Sequence, residues 1–206
     1  MLTLYYAPMT CALASHIALE DAGAEYETRR VDFKSGEQRS EVYMKINPKG
    51  RVPALVTPRG TLTETPAILG FLAETFPAAR LAPEGDPYAA AELQSFNSYL
   101  CSTVHVCHAH RMRGSRWADE ESSYADMRRK VPQTVGACFE MIETRFFKGP
   151  WVLGANYSSA DPYLFTLSSW LEGDGVDIHK YPRVAEHFER MNARGSVQRA
   201  LAAEAA

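Results

Sequence analysis

Val52-Pro53-Ala54-Leu55-Val56, a turn at Arg59-Gly60, Thr61-Leu62-Thr63 and then Glu64-Thr65-Pro66 make up the stretch that decides the architecture. Two short apolar runs around a glycine turn read as a β-hairpin. Thr65 suits a helix N-cap, and Pro66 suits the first helical position, where its missing N–H costs nothing. The helix it opens runs through Phe71, Leu72 and Phe76. Toward the N-terminus, Leu2 to Tyr6 is strand-like and is ended by Pro8, which cannot donate to a ladder. From Cys11 the period becomes 3.6, with Leu13, Ile17 and Ala18 on one face and Gly23 closing the segment. Tyr26 to Val31 reads as a second strand, and a less apolar helix lies between Glu37 and Met44, stopped by Asn47-Pro48. The order βαβα then ββα predicts an α/β domain: a mixed four-stranded sheet with helices on its faces.

Toward the C-terminus the strand signal ends. Phe76-Pro77 to Pro87 is rich in Pro, Gly and Ala, lacks periodicity and reads as a linker. Helical patterns follow over Tyr88 to Trp117, Ser123 to Phe147, Ser159 to Glu172, Arg183 to Ala193 and a short last stretch up to Ala203, which predicts an all-α domain. The expected organisation is a domain over 1–79, a linker over 80–86 and a helical domain over 87–206, with a binding cleft between the two. Ser158-Ser159-Ala160-Asp161 reads as a capping box, a stabilising helix start.

The chain has 206 residues, 46% of them apolar and 23% charged, a globular composition. Its formal net charge of -3 lacks the electrostatic footprint of a general nucleic-acid binder. Cys11, Cys101, Cys107 and Cys138 are too few for a disulfide scaffold and lack CxxC spacing, so free thiols in a reducing compartment are expected. No apolar run reaches the roughly 18 residues needed to cross a bilayer. The first ten residues do not read as a signal peptide, and the expectation is a cytoplasmic protein without a membrane partner.

Cys11 sits where the first strand gives way to the first helix. Free N–H groups there would lower a thiol pKa and favour a nearby anion; equally, cysteine is often a small buried hydrophobe. Thr10 offers a hydroxyl at the same corner, as a donor or as a cap. Val52-Pro53 is either a cis bond turning the Val52 carbonyl and amide toward an extended ligand backbone, or an ordinary proline opening a strand. Glu64 and Thr65 could clamp a group bearing both an amine and a carboxylate, although capping alone also explains Thr65. His105, His108 and His110 lack a metal motif and read as structural or pocket-lining, so no metal is expected. Arg111, Arg113 and Arg116 form a basic cluster beside Trp117, either a solvated face or an attractor of anions.

Asn47-Pro48-Lys49-Gly50-Arg51-Val52-Pro53-Ala54-Leu55, then Leu62-Thr63-Glu64-Thr65 and Ala67-Ile68-Leu69, resemble the cytosolic glutathione S-transferases over essentially the whole chain. Met9-Thr10-Cys11-Ala12-Leu13-Ala14-Ser15-His16-Ile17-Ala18-Leu19 further resembles the opening of the bacterial beta class. The resemblance implies a thioredoxin-like N-terminal domain, an all-helical C-terminal domain, glutathione as co-substrate and a homodimer. It implies that Val52, before a cis Pro53, makes backbone bonds to the cysteinyl part of glutathione. Glu64 and Thr65 would hold the γ-glutamyl end, and Lys34 would approach the glycyl carboxylate. Cys11 matches the beta-class cysteine and Thr10 the thiol-activating serine of zeta-like members. His105, His108 and Met112 are the candidates for lining the pocket of a small hydrophobic electrophile. The chain departs from the beta class at Cys101-Ser102, where a His-Lys pair is usual, and at Gln94, where an asparagine is usual. The activity implied is detoxifying transfer of glutathione to electrophiles. The alternatives are a glutathione-dependent disulfide oxidoreductase or peroxidase working through Cys11, or a non-enzymatic glutathione binder.

Overall fold

The computed structural model describes residues 1–205. Its first part is the strand β1 (Leu2–Tyr6), helix α1 (Ala12–Asp21), strand β2 (Tyr26–Arg30), helix α2 (Glu41–Ile46), strands β3 (Ala54–Thr57) and β4 (Gly60–Thr63), and helix α3 (Thr65–Thr75). The sheet order is β2-β1-β3-β4, with β1 and β2 parallel and the other pairs antiparallel. Leu4 lies opposite Thr28 on one side and Leu55 on the other, and Leu55 in turn faces Leu62. This is the mixed sheet that the hairpin and the βαβ order predict. The polar edge strand β2 carries Glu27, Arg29 and Arg30, a composition that discourages edge-to-edge pairing.

Two expected helices are divided in the structure. The segment expected as one helix from Glu37 begins as a 3₁₀ turn over Glu37–Arg39, and α2 starts only after Ser40. Ser40 is extended, and its hydroxyl accepts the Tyr43 N–H at 3.1 Å, an N-cap that resets the helix start. The long helix expected over 88–117 is divided into α4 (Pro87–Tyr99), a π segment (Leu100–Val104) and α5 (His105–Met112), with a 3₁₀ turn over Gly114–Arg116.

The remaining helices are α6 (Glu121–Met141), continued by a second π segment (Ile142–Phe146), α7 (Ala160–Ser168), α8 (Pro182–Asn192) and α9 (Gly195–Ala205). Every residue of α1 from Ala12 to Leu19 is buried, because this helix packs on α3 and also against α7 and α9. Leu13 and Ile17 of α1 share a small core with Phe165, Met191, Val197 and Ala200 of the helical part. Around it run the buried pair His16–Glu204 at 3.1 Å, Arg194–Asp21 at 2.8 Å and Arg199–Glu20 at 2.6 Å. The helix whose N-terminus carries Cys11 is therefore held from both parts of the chain.

The helix starts one residue later than the expected box, with Ser159 at the N-cap, and Asp161 supplies only its return bond and extends it. Its carboxylate accepts the Ser158 N–H at 2.8 Å, the Val152 N–H at 2.9 Å and the His187 Nε2–H at 3.0 Å, with no exposure to solvent. A local cap thus also ties the loop before α7 to α8.

Candidate functional site

The site begins at the C-terminal end of β1. Cys11 occupies the N-cap of α1, and its own backbone N–H faces its sulfur. The Thr10 hydroxyl donates to the Ala7 carbonyl at 2.7 Å and accepts the Ala12 N–H at 3.3 Å. Its one proton is thus engaged within the turn, and it acts here as a cap that fixes Cys11.

The loop from Asn47 to Val52 is wound around one buried side chain. Asn47 Nδ2 donates to the Arg51 carbonyl at 2.6 Å, Tyr43 OH donates to the same oxygen at 2.7 Å, and the Lys49 N–H returns to Asn47 Oδ1 at 3.1 Å. Gly50 has φ +60°, and a Cβ there would stand 3.0 Å from the Gln38 carbonyl, so glycine is required. The Val52–Pro53 bond is cis. The Val52 carbonyl faces the Cys11 thiol, a weak donor, at 3.5 Å.

Glu64 precedes α3 with φ +72° and ψ +122°, a conformation costly for a residue with a side chain. Its carboxylate pairs with Lys49 Nζ at 2.6 Å, and the same ammonium donates to Thr63 Oγ1 at 2.6 Å. Thr65 is buried, and its hydroxyl lies against the Cys11 thiol. The N-terminus of α3 and the start of α1 thus converge on one sulfur.

The electrostatics at that sulfur run against the helix-terminus argument. Burial raises the Cys11 thiol to about 11, and the Thr65 hydroxyl and the Cys11 backbone N–H offset only part of that rise. The charge of Glu64 adds to the increase. At neutral pH Cys11 is a protonated donor, not a thiolate, which corrects the expected lowering: desolvation outweighs one partial helix charge.

The opposite wall comes from the helical part. Cys101, in the first π segment, lies near Cys11 and is hydrogen-bonded to Tyr163; burial and the proximity of Cys11 hold the Tyr163 phenol neutral. His105 packs edge-on against Trp170 with centroids 5.2 Å apart. Burial, with smaller contributions from His108, Arg116 and Arg51, pushes it down to about 4, so it is uncharged at neutral pH. Arg39, Met44, Lys49, Gly50, Arg51 and Arg116 line a groove of about 430 Å³ alongside.

Other expected residues fall elsewhere. His108 is buried and bonded through Nδ1 to Asp174, which also pairs with Arg111 at 3.2 Å; its ring edges meet Trp170 and Phe139. Its place is the helical core, because its imidazole is claimed by a buried carboxylate. Met112 is 75% exposed at the end of α5. Lys34 is exposed in the turn after β2, where its backbone N–H donates to Asp32 Oδ1 at 2.9 Å. His110 stacks on Trp117 at 4.3 Å. The sequence reading left Cys101 unassigned and did not include Tyr163; the unusual Cys101-Ser102 pair was the available signal.

Comparison with known proteins agrees with this geometry. Residues 1–74 match the family model described as the glutathione S-transferase N-terminal domain. Glutathione S-transferase GST-4.5 of Xanthomonas campestris is 29% identical over 98% of both chains, and glutathione S-transferase GstA of Escherichia coli O157:H7 is 30% identical over 98% of both. The crystal structure of a glutathione transferase homologue from Sulfitobacter, with bound glutathione, superposes with a TM-score of 0.94 at 50% identity, covering 97% of this chain and 96% of that one. With sheet order, converging helix ends and full-length similarity in agreement, the chain belongs to the glutathione S-transferase family.

Proposed function

We propose that glutathione lies along the corner formed by Cys11, Val52, Glu64 and Thr65, and that the enzyme delivers its thiolate to a small hydrophobic electrophile in the adjoining cleft. The chain is a glutathione transferase, and the observation that carries this placement is the convergence of two helix N-termini on the Cys11 sulfur. In this reading the γ-glutamyl carboxylate meets the free N–H groups and positive end of α3. The γ-glutamyl ammonium meets Glu64, whose present partner Lys49 then turns toward the carboxylates of the tripeptide. The Val52 backbone pairs with the cysteinyl unit, and Lys34 approaches the glycyl carboxylate from its exposed turn.

The chemical task is ionisation. A free thiol with a pKa near 8.5 is only a few per cent thiolate at neutral pH, so donors fixed around it lower the barrier. The Cys11 N–H, the protonated Cys11 thiol and the Thr65 hydroxyl supply those donors; Thr10 positions the turn. A protonated Cys11 suits hydrogen-bond donation to another sulfur better than nucleophilic attack of its own. His105, Cys101 and Tyr163 form the far wall against which the electrophile rests. In this reading the chain divides into 1–79, a linker over 80–86 and 87–206, the cleft lies between the two units, and a homodimer in the cytoplasm completes the proposal.

Steady-state conjugation of a chlorodinitrobenzene tests it. Cys11→Ala is expected to slow turnover roughly tenfold while leaving activity measurable, matching the loss of one hydrogen bond of about 1–1.5 kcal/mol. Unchanged turnover in Cys11→Ala would instead remove Cys11 from activation of the glutathione thiol.

A further inference from the structure

Two cysteines remain outside this site. Cys107 on α5 and Cys138 on α6 stand with their sulfurs 3.7 Å apart, the Cys138 thiol donating to Cys107. Cys138 is buried, whereas Cys107 is partly exposed and therefore reachable from solvent. We propose that Cys107 and Cys138 are a redox-active dithiol that glutathione disulfide converts into an intrachain disulfide joining α5 to α6.

The division of labour is built into the pair. The Cys138 thiol donates to the Cys107 sulfur, bringing Cys107 down to about 7 against the opposing effect of burial, with a smaller lowering contribution from Thr134. Cys138 is held protonated by the same contact. The partly exposed Cys107 is thus the attacking thiolate and the more deeply buried Cys138 the resolving thiol. Closing to a bond of about 2.05 Å requires the sulfurs to approach by roughly 1.7 Å. A π segment lies beside each cysteine, an irregularity frequent at functional sites: Leu100–Val104 ends three residues before Cys107, and Ile142–Phe146 begins four residues after Cys138.

The steps balance without any further reagent. The Cys107 thiolate attacks one sulfur of glutathione disulfide, whose S–S bond breaks; one glutathione leaves as thiolate and a Cys107–glutathione mixed disulfide forms. Cys138 then attacks the Cys107 sulfur as its proton passes to the departing glutathione sulfur, and the second glutathione leaves as the thiol. The protein dithiol is oxidised by two electrons, and one glutathione disulfide is reduced to two glutathione molecules. The competing account is that two small hydrophobes merely pack where α5 meets α6.

The experiment incubates the full chain with excess glutathione disulfide, blocks remaining thiols by alkylation, and then counts thiols and maps peptides by mass spectrometry. The proposal expects the Cys107 and Cys138 peptides to be linked, with the loss of those two thiols out of four, and recovery of both on adding excess reduced glutathione. Cys138→Ser is expected to trap one glutathionyl group on Cys107, while Cys107→Ser leaves Cys138 free. Alkylation of both residues in the oxidised wild-type sample, or a crosslink confined to Cys11 and Cys101, overturns the proposal. The wild-type map decides the question even where a serine variant fails to fold.

Discussion

Replacing Asp161 with alanine should be among the most destabilising single changes in this chain while sparing glutathione affinity. The carboxylate is fully buried and accepts from Val152 N–H, Ser158 N–H and His187 Nε2 at 2.8–3.0 Å, with a longer contact to the Ser158 hydroxyl at 3.4 Å. Deletion strands three buried donors, each costing about 1–3 kcal/mol when left unpaired. Water admitted to the vacated space recovers part of this, leaving a net loss of about 4 kcal/mol. For a domain of this size that corresponds to a fall in Tm of about 8–16 °C. The assay is urea unfolding at fixed protein concentration, paired with the KM for glutathione. Asp161→Asn, which keeps one acceptor oxygen, should cost about half as much. A loss below about 1 kcal/mol with unchanged m would refute the anchoring argument. So would a tenfold rise in KM at unchanged stability, since the carboxylate would then belong to binding.

Three other outcomes follow from the site. Glu64→Gln should raise the KM for glutathione by tenfold or more, the scale of a charge-assisted hydrogen bond of about 1.5–3 kcal/mol, with a smaller effect on kcat; an unchanged KM would remove Glu64 from the γ-glutamyl contact. His105, pushed down to about 4, stays neutral above pH 5. The His105→Gln variant should therefore keep the wild-type pH–rate profile between pH 5 and 8, and loss of an inflection near pH 6.5 would contradict this. The Cys11 thiol should resist iodoacetamide at neutral pH and react faster as pH rises toward 11. The same shift makes a stability statement. Between pH 9 and 11 the unfolded chain loses this proton before the folded one, so the contribution of Cys11 to stability declines as pH rises through that window.

Local chemistry made much of this molecule legible from its residues. Pro53 and the Arg59-Gly60 turn bracket a short apolar strand, and Thr65-Pro66 marks a helix start, although Glu64 and not Thr65 takes the N-cap and Pro66 falls at the second helical position. The bond between Ser158 and Asp161 was equally plain, because its partners lie three residues apart. What stayed hidden depends on distant chain. His108 reads like a pocket residue until Asp174, 66 positions away, claims its ring. Asp161 looks like a simple cap until Val152 and His187 reach the same oxygen. The π segment over Leu100–Val104 carries neither glycine nor proline, so no breaker announces the division of the long helix around Cys101. The direction of the Cys11 shift stays open in the sequence, since helix position can be read from spacing whereas burial cannot.

A crystal structure of the full chain with glutathione bound tests the central claim most directly. The account predicts the glutathione sulfur within about 4 Å of Cys11 Sγ and its backbone N–H, hydrogen-bond distance for sulfur, with the cysteinyl unit on the Val52 backbone and the γ-glutamyl group on Glu64 and Thr65. A glutathione sulfur lying instead against Cys101 and Tyr163, or a tripeptide seated in the groove of Arg39, Arg51 and Arg116, would contradict it.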